Sequence, residues 1–188
     1  MKSGFVAILG RPNVGKSTFL NAILSKKVSI VSPKPQTTRD NILGILTEKD
    51  YQMVFIDTPG LFEGEGALDK FMNKSAKSSL SDADVVLFII SAEEAENPDL
   101  KTLKALKLNC PCIILVNKID LARAPEMEAL LAKIKEEFPH NQIIEMSALT
   151  NFGLKTVKEA VAHLLPEGPM YFEEGTYTDK GTAFTIKE

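Results

Sequence analysis

Four short clusters of residues have the types and spacing needed to handle a phosphorylated nucleotide. Gly10-Arg11-Pro12-Asn13-Val14-Gly15-Lys16-Ser17 fits G-x-x-x-x-G-K-[ST], and it follows an apolar run and opens a helical pattern. Its two glycines permit a turn tight enough for successive N–H groups to surround a phosphate, and a helix N-terminus adds partial positive charge. Lys16 supplies a mobile cation for β- and γ-phosphate oxygens, and the Ser17 hydroxyl is a ligand for Mg²⁺. The candidate phosphate-binding stretch extends to Thr18.

The second cluster, Asp57-Thr58-Pro59-Gly60, stands 41 residues beyond Lys16 at the end of a strand pattern. An acid there reaches Mg²⁺ through water, and the Gly60 N–H can meet a γ-phosphate. Alone, D-x-x-G is a common strand-ending turn; its position relative to Lys16 gives it weight. In the third cluster, Asn117-Lys118-Ile119-Asp120, the Asp120 carboxylate can accept two hydrogen bonds from the N1 and amino groups of guanine. Adenine has no donors so arranged, and the wrong base would leave a buried charge unpaired. Fourth, Ser147-Ala148-Leu149 follows the last strand pattern and can offer a backbone N–H to the base oxygen.

Positioning these clusters requires alternating strands and helices. Apolar, β-rich runs are predicted as strands at residues 4–9, 41–47, 51–57, 84–91, 111–117 and 142–146. Helical patterns fall at 16–25, 68–80, 99–108, 125–138 and 154–164. Continuous apolar runs at 5–9, 85–90 and 112–116 suit parallel strands covered on both faces. The expected fold class is α/β, a three-layer P-loop sandwich around a six-stranded, mostly parallel sheet. Glu48-Lys49-Asp50 is a hairpin spacing, so one edge strand is expected to be antiparallel. After Leu165 the periodicity stops at Pro166-Glu167-Gly168-Pro169, which divides the chain into a domain at 1–165 and a linker or tail at 166–188.

Composition bounds the functional class. The 188 residues are 44% hydrophobic and 25% charged, the balance of a globular domain with a sizeable core. No apolar run is long enough to span a bilayer, and the first residues lead directly into a strand, so neither an anchor nor a signal peptide is expected. Of 25 acids and 22 bases, five and two lie in 166–188, leaving a neutral body with 20 of each. Such a body makes no case for DNA or RNA binding, which needs clustered Lys and Arg. The spacing of Cys110 and Cys112 fits neither a disulfide framework nor a paired metal site, so they read as small apolar residues, while His140 and His163 are isolated. A reducing, cytoplasmic setting is expected.

Together the four clusters resemble the translation-factor class of GTP-binding proteins over roughly residues 4–165. Lys34-Pro35-Gln36-Thr37-Thr38-Arg39, with Gly4-Phe5-Val6-Ala7 and Leu165-Pro166-Glu167-Gly168-Pro169, makes the chain similar to the Era family of GTPases. The resemblance implies GTP and GDP as ligands, Mg²⁺ as cofactor and GTP hydrolysis as the activity. It implies a switch threonine on Mg²⁺, Thr38 with Thr37 second, and a catalytic set of Lys16, Thr38 and Gly60. Leu61 stands where many relatives place a water-orienting glutamine, so slow turnover is expected. Asn13 matches the asparagine that helps ligate K⁺ in potassium-activated relatives, although an asparagine there also suits a simple turn. Members of the family carry an RNA-binding KH domain after the GTPase domain and act in assembly of the small ribosomal subunit. The pattern after Pro169 has drifted, and no G-x-x-G loop follows before Glu188. Specific RNA binding is therefore not expected of these 188 residues, and the ribosomal partner belongs to a longer form. Related GTPases of tRNA modification or ribosome maturation, and a nucleotide-binding module with negligible turnover, are the alternatives.

Overall fold

The computed structural model describes residues 1–25, 42–57, 80–94, 100–106, 108–173 and 175. Its strands are β1 (Lys2–Leu9), β2 (Ile42–Thr47), β3 (Tyr51–Asp57), β4 (Val85–Ser91), β5 (Cys112–Asn117) and β6 (Gln142–Glu145). The helices are α1 (Lys16–Leu24), α2 (Leu100–Ala105), α3 (Ala124–Glu137) and α4 (Leu154–Leu164). One sheet contains all six strands in the order β2-β3-β1-β4-β5-β6. Every pairing is parallel except β2 with β3, the edge hairpin expected from Glu48-Lys49-Asp50.

The continuous apolar runs behave as strands covered on both faces. β4 is buried along its whole length, and β5 is buried from Ile113 onward. Alternate residues feed two separate cores. Val6, Ile8, Leu87 and Leu115 pack with Phe19, Leu20 and Ile23 of α1 and with Val157 and Val161 of α4. Ala7, Leu9, Phe88 and Val116 pack with Leu100 and Leu103 of α2 and with Leu130 and Ile134 of α3. On α4 the buried positions Leu154, Val157 and Val161 recur at helical spacing, and each contributes about 1.5–3 kcal/mol on burial. The result is the expected three-layer sandwich.

Boundaries shift where tertiary partners decide them. β1 starts at Lys2 rather than residue 4, because Lys2 N–H donates to Asp50 O (3.0 Å) and Ser3 N–H to Pro166 O (3.0 Å). α2 is shorter than its pattern. α3 starts at Ala124, with Pro125 in the first turn, where its missing N–H costs nothing. The helical pattern at 68–80 lies outside the described residues except for Leu80. Among those residues no helix is long and apolar enough to cross a membrane.

The expected linker is bonded to the domain over its described part. Gly168 N–H donates to Met1 O (3.0 Å), and Ser3 Oγ–H donates to Pro169 O (2.6 Å). Gln52, fully buried on β3, accepts from the N–H groups of Tyr171 (2.8 Å) and Phe172 (3.0 Å). Its amide also donates to Phe172 O and Thr47 Oγ1, both at 2.9 Å. The Tyr171 ring meets Phe5 at 4.8 Å between centroids. A buried glutamine needs all its polar capacity used, and residues 166–172 supply what the strands cannot. They form a strap across the amino edge of the sheet.

Candidate nucleotide site at the carboxyl edge of the sheet

Because β1, β3, β4, β5 and β6 run parallel, their carboxyl ends share one edge, and the clusters singled out in the sequence follow those ends. The chain passes from β1 to the β2–β3 hairpin on one side, then from β3 to β4 on the other side of β1, so the direction of winding reverses beside β1. Ligands of doubly wound sheets bind in the crevice opened at such a switch point.

The loop from β1 to α1 is folded in the way a phosphate cradle requires. Gly10 has φ 149°, and a Cβ there would stand 2.5 Å from Ile89 O. Gly15 has φ 97° and closes the loop at the start of α1, where a Cβ would collide with the Asn117 side chain. Only glycine fits at either position. Val14 is buried and anchors the loop in the core, while Asn13 takes the left-handed conformation with φ 67°. Lys16 Nζ donates to Gly10 O and Arg11 O, both at 2.7 Å, so its ammonium lies over the cradle. Ser17 and Thr18 are exposed on the first turn of α1, whose leading N–H groups have no intrahelical partner.

Asn117, in the third cluster, joins this loop to the fourth, Ser147-Ala148-Leu149. Its side chain is buried, its Nδ2 donates to Val14 O (2.9 Å), and its Oδ1 accepts from Ala148 N–H (2.9 Å). One amide therefore spans three loops. The Ala148 N–H is engaged by Asn117, and the next amide, that of Leu149, has no hydrogen-bond partner among the described residues. Ser147 fixes the same loop, donating its N–H to Phe152 O (3.1 Å) and accepting from Thr150 N–H at Oγ (3.2 Å).

Lys118 follows Asn117 with φ 64°, and Asp120 is exposed on the short turn Ile119–Leu121. Lys118 Nζ is 2.6 Å from Glu93 Oε2. The hydrogen bond and charge of Lys118 hold the Glu93 carboxyl below its usual range. Glu93 was not among the residues predicted from sequence. Its one signal is position: it sits just past β4, on the same edge as the recognised clusters.

The structure thus brings Gly10 to Thr18, Asn117, Lys118, Asp120, Ser147, Ala148 and Leu149 to one edge. Asp57 ends β3, its backbone in register with Ile8. Thr37, Thr38, Gly60 and Leu61 lie outside the described residues. The described residues fit a nucleotide and its Mg²⁺: the cradle excludes any Cβ at Gly10 and Gly15, and the exposed Ser17 hydroxyl is a hard oxygen donor. No group of His, Cys, Asp and Glu suited to a metal occurs among the described residues.

A family model described as 50S ribosome-binding GTPase matches residues 5–118. GTPase Era of Caldanaerobacter subterraneus subsp. tengcongensis is 42% identical over the whole of this chain, which spans 63% of that protein's length. The crystal structure of Aquifex aeolicus Era bound to GDP and AlF4⁻ is 41% identical, with a TM-score of 0.78 over 95% of this chain and 62% of its own. Era in complex with MgGDPNP and nucleotides 1506–1542 of 16S ribosomal RNA matches equally well, with a TM-score of 0.78. The chain belongs to the 50S ribosome-binding GTPase family and, within it, to the Era family.

Proposed function

We propose that the chain binds GTP and GDP at the carboxyl edge and, with Mg²⁺, hydrolyses GTP to GDP and phosphate. It would act as a switch whose two nucleotide states a partner distinguishes. The observation that carries this reading is the Asn117 bridge, which holds the phosphate loop and the base loops as one unit.

In that unit Lys16 binds β- and γ-phosphate oxygens in place of the carbonyls it now holds. Asp120 accepts from guanine, and the Leu149 N–H meets the base oxygen, since that of Ala148 is engaged. Ser17, Asp57 and Thr38 (Thr37 second) hold Mg²⁺, and the Gly60 N–H meets the γ-phosphate. Mg²⁺, when bound, offsets the charge that builds between the β- and γ-phosphates. With Leu61 in place of a water-orienting glutamine, turnover is slow. Asn13 offers a side-chain oxygen to K⁺ beside the phosphates, which would supply the missing positive charge.

The Era structure with a 16S ribosomal RNA segment supports a role in small-subunit assembly for a longer form of this protein. The charge-balanced body gives these 188 residues by themselves no specific affinity for ribosomal RNA. A nucleotide-binding module with negligible turnover is the second reading, favoured by Leu61. Multiple-turnover phosphate release from GTP with Mg²⁺, in KCl and in NaCl at equal ionic strength, separates the two. Several phosphates per protein, released faster in KCl, are expected. Release that stops at or below one per protein favours the binding module, and equal rates in the two salts remove K⁺.

A further inference from the structure

Between the phosphate loop and the base-reading Asp120 stands Lys118, whose backbone occupies the left-handed region. That conformation costs a non-glycine residue about 1–2 kcal/mol and persists only where its surroundings hold it. The side chain is secured at its far end, with Nζ 2.6 Å from Glu93 Oε2. Glu93 is itself placed by Ser91, the buried last residue of β4, whose Oγ accepts from Glu93 N–H (3.3 Å) and lies 3.4 Å from Glu93 Oε2. A chain of contacts therefore runs from the end of β4 through Ser91 and Glu93 to the tip of Lys118.

We propose that Glu93 is a positioning residue for the base pocket, holding Lys118 stretched so that its methylene stem forms one apolar wall against the guanine ring. Lysine stems cover apolar surface readily while the ammonium stays solvated. A four-carbon stem tethered at both ends loses little further freedom when a base packs on it, which is how preorganisation adds affinity. The ammonium has a second task. The Asp120 charge opposes that of Glu93, and the Lys118 ammonium, 2.6 Å from Glu93 Oε2, offsets it. The inference depends on the base-site reading of Asp120 and adds to it a residue from a different strand end.

The test is a double-mutant cycle read by GDP affinity in Mg²⁺, with thermal melting of each ligand-free variant as a check on folding. Glu93 is exposed, so its replacement should leave the melting temperature close to that of the parent. Glu93→Ala is expected to weaken GDP binding about tenfold. Glu93→Gln, which keeps a hydrogen bond to Lys118, should recover part of that loss. In a Lys118→Ala background, Glu93→Ala should add nothing. Parental affinity in Glu93→Ala, or a loss that persists undiminished without Lys118, would overturn the proposal. Asp120→Asn runs alongside: if it loses GDP while the Glu93 variants do not, the base site stands and Glu93 has no part in it. If Asp120→Asn keeps GDP, the base-site reading and this proposal both fall.

Discussion

At the carboxyl edge of the sheet the chain leaves β1 and β5 through left-handed residues, Asn13, Gly15 and Lys118, and holds a lysine ammonium over backbone carbonyls. At the amino edge, Gln52 and Ser3 bond a returning strap instead, and β3 and β5 begin at partly buried titratable groups, Tyr51 and Cys112. One edge keeps strain and charge where a ligand can use them. The other uses its polar groups on the chain itself. Binding is expected to depend on the first edge and stability on the second, so variants should separate the two properties.

The largest separation is expected from Lys16→Ala. If Lys16 binds two phosphates as proposed, its removal should weaken GTP affinity about 100-fold, the equivalent of about 3 kcal/mol, while the melting temperature barely moves. Equilibrium titration and calorimetry on the same sample would check both. Gln52→Ala should do the reverse. It strands the N–H groups of Tyr171 and Phe172 and is expected to cost about 2 kcal/mol in urea unfolding with nucleotide affinity unchanged. A comparable loss of affinity would mean that the two edges are coupled rather than separate.

A smaller effect is expected from Asp120→Asn, at least about tenfold weaker GTP binding with preference shifted toward xanthosine nucleotides, which competition titration would read. The smallest concerns pH. Burial pushes the Cys112 thiol up to about 12 from 9.0, and burial, then Glu48 and Glu159, push the Tyr51 hydroxyl to about 12 from 10.0. Both groups are kept neutral in the fold and release their protons more readily when unfolded. Their contribution is intact below pH about 9 and declines as pH rises toward 12. Unfolding midpoints should fall across that window, and Cys112→Ala should flatten the fall.

Much of this was legible in the sequence because the signals were local. Val85–Ser91 reads as a strand without help from any other segment, and Gly10, Gly15 and Lys16 lie within one short motif. Glu93 and the strap were not legible for the opposite reason. A single acid after a strand matches no motif, and the partners of Gln52 stand 119 and 120 positions away. The strap from Pro166 onward is also held largely through backbone groups, which leave no periodicity to read. Tertiary register decided both. It also placed a cavity of about 500 Å³ at the amino ends of β5 and β6, lined by Cys110, Phe138 and His140, at the edge away from the recognised motifs.

If the carboxyl edge holds a guanine nucleotide between loops tied together by Asn117, it must choose guanine over adenine. Calorimetric titration of the chain with Mg·GDP and Mg·ADP under identical conditions measures that choice. Micromolar binding of GDP, with ADP at least about 100-fold weaker, is the expected result. Equal affinity for the two nucleotides, or no binding of either, would contradict it.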